Sequence, residues 1–419
     1  MKADLAGLIT REDLDALWIL GPANHNAAVR YFTGPAHLTH AEVIVTPDKD
    51  PVLFHQAMER DEAAQTGLPA VDLSQYQLVK LIEEAEGDVV LARARLYRDL
   101  LQDLGLENAR IALYGKVDLS SVWGVFERLK TLLPDLELIG EGRNSILLQA
   151  RATKDQFEVD RIREMGRVTT EVVGKVARFL QTREVNQDQT LLLSDNQPLT
   201  VKDVKSKINL WLSESGVENP EGVIFALGRD AGVPHSAGTA DDQLKLGETI
   251  VFDIFPCESG GGYFYDFTRT WCLGYAPDAA HELYRQVREV YQTIMEEIRL
   301  DQLASELQER TCELFEAQGH ATIRQDPGLK QGYVHSLGHG LGLDIHERPW
   351  FGKGSTEEDR LTAGTVVTIE PGLYYPEQHM GCRLENTVWI RPDGVPEVLV
   401  DYPLDLVLPM ENWSPGAGD

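Results

Sequence analysis

Val334–Pro349 reads VHSLGHGLGLDIHERP, and three of the chain's eleven histidines, His335, His339 and His346, fall within it among three glycines. Glycine at that density spoils the interior of an ordinary helix or strand. It lets the backbone turn tightly and lets a ligand come close, while neutral imidazole is the commonest metal ligand and a competent acid or base near neutral pH. The stretch is not an HExxH zinc helix, and taken alone it also reads as a Gly-rich loop with solvated histidines. The carboxylates found on either side of it in sequence shift the balance.

Upstream, TIVFDIFPCESGGGYFYDFTRTWCLG from Thr249 has two aromatic-rich, strand-like halves around ESGGG, the pattern of a hairpin. If the turn centres between Ser259 and Gly260, Asp253 and Asp266 become cross-strand neighbours with Cβ atoms roughly 5 Å apart. Two like charges there repel, and a divalent cation neutralises them better than a proton does at neutral pH. The other reading puts the two aspartates on opposite, solvated faces of a bulged hairpin. The Gly run lacks the GK[ST] ending of a phosphate loop.

Downstream, TVVTIEPGLYYP carries Glu370 at the end of a strand-like run, and GCRLENTVWI carries Glu385 near the start of the next. Lone strand glutamates usually face solvent, yet both runs are too apolar for exposed edges. Two Asp, two Glu and one or more His form an oxygen-rich set. That composition suits two hard or borderline divalent ions such as Mn²⁺, with Co²⁺ and Zn²⁺ as alternatives, rather than thiolate zinc chemistry.

The chain of 419 residues is long enough for two or three domains, and 42% hydrophobic residues give it a large core. Its formal net charge of -28, without a basic cluster, argues against a nucleic-acid partner. No run approaches 18 apolar residues, so no membrane span is expected. The opening MKADLAGLITREDLDALWIL reads as a mature cytoplasmic protein. Cys257, Cys272, Cys312 and Cys382 show no CxxC spacing and read as free thiols.

Ala16–Leu20 reads as a strand, NHNAAVRYF from Asn24 as a cap and helix, and Ala41–Pro47 with Pro51–Gln56 as a hairpin. Arg110–Gly115 is a further strand, followed by a helix that ends at Pro134. These elements make a mixed α/β domain over 1–150. From 151 to 419 a long helix comes first, with Phe157, Ile162, Met165, Val168, Val172, Val176 and Phe179 on one face. Strand pairs and two amphipathic helices, Ala280–Ile298 and Leu303–Gln318, then give an α+β arrangement. The tail after Pro409 is expected to fray.

In order along the chain, PHSAG from Pro234, D-x12-D-F-T-R-T from Asp253, GHGLGLDIHE from Gly338, TIEPG from Thr368 and GCRLEN from Gly381 resemble the metallopeptidases of the pita-bread fold. That family includes methionine aminopeptidase, Xaa-Pro aminopeptidase and prolidase, and the two-domain layout is similar to the creatinase/prolidase branch. The resemblance implies an α+β pita-bread catalytic domain behind a smaller α/β N-terminal domain. It further implies Asp253, Asp266, His339, Glu370 and Glu385 as ligands of a dinuclear centre, with Asp266 and Glu385 bridging. His235, His335 and His346 would be substrate-side imidazoles, Glu370 a proton shuttle, and Arg383 a partner for a glutamate of the protein or for a carboxylate of the substrate.

Two departures stand out. The aspartates are about two residues further apart than the family spacing, and Ile254-Phe255 replaces a segment where a glycine commonly stands two residues after the first Asp. All five ligand types are nevertheless present, unlike in creatinase. The activity implied is hydrolysis of Xaa-Pro bonds, as a dipeptidase (prolidase) or alternatively as an aminopeptidase on longer peptides, with a non-catalytic peptide-binding protein as the remote alternative. The partner is then a proline-containing peptide, and the family permits a homodimer.

Overall fold

The computed structural model describes residues 4–414. They fall into two compact units, one running up to Ala150 and taking in Gly260–Gly262, the other running from Arg151 to Ser259 and onward from Tyr263.

In the first unit β1 (Ala16–Gly21), β2 (Ala41–Val45), β3 (Val52–His55), β4 (Ala70–Asp72), β5 (Arg110–Gly115) and β6 (Glu137–Ile139) form one mixed sheet, ordered β4-β3-β2-β1-β5-β6. Side chains alternate across a strand, and β1 is buried throughout because both faces are covered. Ala16, Trp18 and Leu20 pack with α1 (Val89–Leu104) and α2 (Leu119–Leu132). Leu17 and Ile19 pack on the opposite face with Leu5, Ile9, Val29 and Phe32. The result is a three-layer α/β/α unit, with β2 and β3 paired antiparallel as the hairpin expected from two β-rich runs joined by a short turn.

The second unit opens with α3 (Gln156–Gln181), started by a capping box between Asp155 and Glu158. Its stripe of Val159, Ile162, Met165, Val172 and Val176 is buried. Phe157, expected on that stripe, is 66% exposed. It sits in the first turn, where the Arg161 guanidinium lies over its ring. After α4 (Val201–Glu214) come β7 (Val223–Leu227), β8 (Thr249–Ile254) and β9 (Phe267–Leu273), then α5 (Asp278–Glu297) and α6 (Ala304–Ala317). Later strands are β10 (His339–Gly340), β11 (Glu347–Trp350), β12 (Val366–Ile369), β13 (Gly372–Tyr375), β14 (Met380–Arg383), β15 (Asn386–Ile390), β16 (Pro396–Val398) and β17 (Val407–Leu408), with a few two-residue strands besides. One sheet runs β7-β8-β9-β17, another β11-β10-β12-β15-β16, and β13 pairs with β14. Leu283, Val287, Val290 and Ile294 of α5 join Leu307 and Phe315 of α6, the strand residues Val367, Ile369 and Val388, and Leu384 between β14 and β15 in one core.

The glycines of the histidine stretch serve close approach between strands. A Cβ at Gly338 would sit 2.0 Å from the Thr368 carbonyl oxygen, and one at Gly340 would sit 1.9 Å from that of Arg348. Glu347, next to His346, is fully buried and accepts from Arg151, from Lys154 Nζ at 3.0 Å and from the Asp344 amide at 3.0 Å. Burial alone would raise its pKa, but the two cations hold it at about 2.

The four cysteines are buried thiols. Among the described residues no helix is long and apolar enough to cross a membrane. Fraying does not begin at Pro409, since Met410 is buried and Trp413 stacks on Tyr275. The last five residues, 415–419, lie outside the described residues.

Candidate metal centre

β8 and β9 pair with Asp253 opposite Thr268 and Ile254 opposite Phe267. The turn therefore centres one residue later than the sequence reading places it, and Asp253 does not face Asp266 directly. Cys257 bridges Phe264, the Glu258 amide reaches the Tyr263 carbonyl, and Gly260 and Gly261 take φ of +78° and +82° between them. Gly260 and Gly261 take these left-handed conformations without the Cβ penalty that Ser259 would meet, which favours a turn on Gly260-Gly261 over one on Ser259-Gly260. A shift of two residues keeps each side chain on its face of the sheet. Asp253 and Asp266 are thus diagonal neighbours, and both line the same cavity.

That cavity, about 670 Å³, carries on its wall all nine side chains singled out from the sequence: Asp253, Asp266, His339, Glu370, Glu385, His235, His335, His346 and Arg383. The five carboxylate and histidine candidates for metal stand at or near strand ends, where the side chain is fixed but the backbone has stopped closing the space. Asp266 precedes β9, His339 opens β10, Glu370 follows β12, and Glu385 lies between β14 and β15. A larger cavity of about 810 Å³ in the first unit gathers mainly apolar wall around His40, Glu42 and Tyr97, so volume alone does not locate the chemistry.

Ligand atoms of Asp266, His339 and Glu385 lie within 4.8 Å of one another. His339 Nδ1 is 3.0 Å from the Gly340 carbonyl oxygen, so Nδ1 carries the proton and Nε2 presents a lone pair. That lone pair stands 3.3 Å from Glu370 Oε1 and 3.6 Å from Asp266 Oδ2. Acceptors facing acceptors repel unless a cation sits between them. Among the described residues Asp253 Oδ1 and Glu385 Oε1 are likewise buried without a hydrogen-bond partner, an unusual state for carboxylate oxygens. These residues fit a divalent metal.

The other oxygens are held. Glu385 Oε2 accepts from the Thr268 hydroxyl at 2.6 Å, and Glu370 Oε1 lies 3.2 Å from the Thr368 hydroxyl. Asp253 Oδ2 pairs with Arg383 Nη2. Arg383 also donates to Thr268 Oγ1, to Tyr374 OH and to the Pro234 carbonyl, so four of its five N–H groups are engaged by the protein itself. Its acidic partner is Asp253 rather than a glutamate. His235 and His335 meet at 3.0 Å through their Nε2 atoms, and the His346 ring lies edge-on to His339 at 4.4 Å. His335 Nδ1 lies 3.0 Å from the Ser336 carbonyl oxygen and 3.4 Å from Glu370 Oε2.

Without metal, burial first and repulsion from Glu385 second push the Asp266 and Glu370 carboxyls well above their ordinary range. Burial and Asp253 bring Glu385 to about 8. Burial drives His335 and His339 the other way, to about 3. Between the ordinary histidine value of 6.5 and about 8, the folded carboxyls hold protons that the unfolded chain has released, so stability falls as pH rises. Below 6.5 the buried neutral histidines add the opposite slope. Thermal melts of chelator-treated protein should therefore decline from pH 6.5 to 8, and saturating Mn²⁺ should remove the decline. A flat profile in the chelated protein would contradict a repelling carboxylate cluster.

Thr268, Tyr374, Thr368 and Lys205 were not singled out from the sequence. Thr268 stands inside the D-F-T-R-T run, two residues after Asp266, and that spacing on one strand face was the available signal. Lys205 lines the cavity from α4, where a lysine on an amphipathic helix gives no signal.

A model of metallopeptidase family M24 matches residues 160–392, and one of the creatinase/prolidase N-terminal domain matches residues 3–143. The chain is 25% identical over 401 residues to an Xaa-Pro dipeptidase of Pyrococcus furiosus, covering 94% of this chain and 97% of that protein. It is 27% identical over 335 residues to a probable dipeptidase of Mycobacterium bovis, covering 79% and 80%. Among solved structures it is similar to a dipeptidase from Pyrococcus horikoshii, with TM-score 0.72, 20% identity and coverage of 97% and 99%. It is also similar to an X-Pro aminopeptidase from Thermotoga maritima, with TM-score 0.69, 22% identity and coverage of 94% and 97%. At such identities the structural likeness concerns the fold.

Proposed function

Because the chain belongs to metallopeptidase family M24 and carries a creatinase/prolidase N-terminal domain, we propose that this peptidase hydrolyses Xaa-Pro bonds, most readily in dipeptides. Residues 1–150 are then the N-terminal domain and 151–419 the catalytic one. Asp253, Asp266, His339, Glu370 and Glu385 would hold two divalent ions, Mn²⁺ by the oxygen-rich donor set, with Asp266 and Glu385 as the carboxylates that would serve both. The observation that carries this reading is the His339 lone pair turned toward two carboxylate oxygens, beside the unpartnered oxygens of Asp253 and Glu385.

Bound divalent ions supply Lewis acidity and a water of lowered pKa. Glu370, buried and steadied by Thr368, takes the proton released on attack and returns it to the leaving proline nitrogen. A tertiary amide nitrogen has no proton of its own, so that return is required. His346, neutral and accessible, donates to the oxygen that gains charge on the reacting carbonyl. His235 and His335 form a paired wall that orients the substrate.

The deciding experiment compares Ala-Pro, Ala-Pro-Ala and Ala-Ala with added Mn²⁺. We expect kcat/KM for Ala-Pro to exceed that for Ala-Pro-Ala by tenfold or more, about 1.4 kcal/mol of transition-state binding. Equal or faster cleavage of the tripeptide would make the protein an Xaa-Pro aminopeptidase, and a preference for Ala-Ala would remove proline from the assignment.

A further inference from the structure

A dipeptidase must hold the free carboxylate of its substrate, and the obvious cation, Arg383, has four of its five N–H groups committed within the protein. The cavity wall carries one other cation, Lys205, on α4. Its Nζ donates to the Ala237 carbonyl at 2.5 Å, and that carbonyl already accepts the Phe225 amide. An ammonium has three N–H groups, which leaves two for a ligand. Among the described residues no carboxylate pairs with Lys205, and partial burial depresses its pKa without any acidic neighbour opposing the shift. Asn209, one turn further along α4, lines the same wall and adds an amide beside it. A lysine this close to an acid-rich cavity, and left without an acid, is placed to receive one from outside.

Ala237 follows His235 by two residues, so the backbone that anchors the ammonium lies within roughly 7 Å of the His235 Cα. In an Xaa-Pro dipeptide three bonds, about 3–4 Å end to end, separate the scissile carbonyl carbon from the carboxylate carbon. A third residue would carry the carboxylate about 3.5 Å further out. We infer that Lys205 receives the C-terminal carboxylate of the substrate and so sets the preference for dipeptides, an inference that rests on the peptidase reading above.

The test uses the full-length Mn²⁺-loaded enzyme and four substrates, Ala-Pro, Ala-Pro amide, Ala-Ala and Ala-Ala amide. Lys205→Met should lower kcat/KM for Ala-Pro at least tenfold, chiefly through KM, while Ala-Pro amide changes less than twofold. Lys205→Arg should retain most of the Ala-Pro activity. Equal losses on acid and amide, or no loss on either, overturn the inference. If the unmodified enzyme cleaves the Ala-Ala pair but not the Ala-Pro pair, the proline assignment falls, and the acid-against-amide comparison on Ala-Ala still decides Lys205. If it cleaves neither pair, both readings fall.

Discussion

Asp266→Asn should strip the protein of most bound metal and lower kcat/KM by at least 10³-fold, the largest loss expected of any single change. Asp266 offers an oxygen within 4.8 Å of donor atoms on both His339 and Glu385, and its Oδ1 is already fixed by the Phe267 amide at 2.9 Å. Asparagine keeps the shape but replaces an anionic oxygen with a neutral amide. Hard cations bind carboxylate far better than amide when other carboxylates share the site. The same substitution should have the opposite sign on the metal-stripped protein. There Asp266 is a buried acid crowded by Glu385, Asp253 and Glu370, so neutralising it relieves repulsion, and the stripped variant should melt no lower than stripped wild type at pH 8. Metal analysis and paired melts read both halves. Unchanged metal content with full turnover would sink the assignment.

His346→Ala should retain metal yet lose 10²- to 10³-fold in kcat, the range expected when a donor to a developing oxyanion is removed. His339→Ala should lose the metal itself. The two rings touch, but their surroundings differ. His339 is buried with Nδ1 tied to the Gly340 carbonyl and Nε2 aimed at carboxylates, whereas His346 remains accessible at the cavity. Both pKa values are lowered, chiefly by burial, so each ring is neutral near pH 7. Neutrality suits a ligand in one case and a hydrogen-bond donor in the other. Equal metal loss in the two variants would show that the rings do not divide the work in this way.

Much of this arrangement is legible in the chain. The apolar run Ala16–Leu20 and the aromatic-rich halves around ESGGG announce strands, and acids inside such apolar runs announce a polar interior site. What hid was set by distance along the chain. Arg383 meets Asp253 across 130 residues, and no local pattern distinguishes that pairing from an arginine–glutamate contact. The hairpin register turned on which pair among Ser259 and the glycines takes positive φ, a difference of one residue in a run where several pairs looked eligible. Phe157 lies exposed because it stands five residues before Ile162, roughly 140° around the helix from the buried stripe, while Glu158 and Val159 of the same turn are buried. Glu347, in HERP, looks like a solvated loop charge. Its burial depends on two cations nearly two hundred residues upstream.

That last contact bears on how the protein is made. Arg151 and Lys154 leave the ribosome at least 193 residues before Glu347, a lag of roughly 10–40 s at ordinary rates of synthesis. Both cations end up buried, and burial without their carboxylate would strand charge in an apolar interior. The beginning of the second unit therefore waits, its cations solvated, for chain still being synthesised. Nascent chains stalled short of Glu347 leave this end of the second unit open, whereas the first unit, apart from three glycines at a hairpin tip, is complete by Ala150.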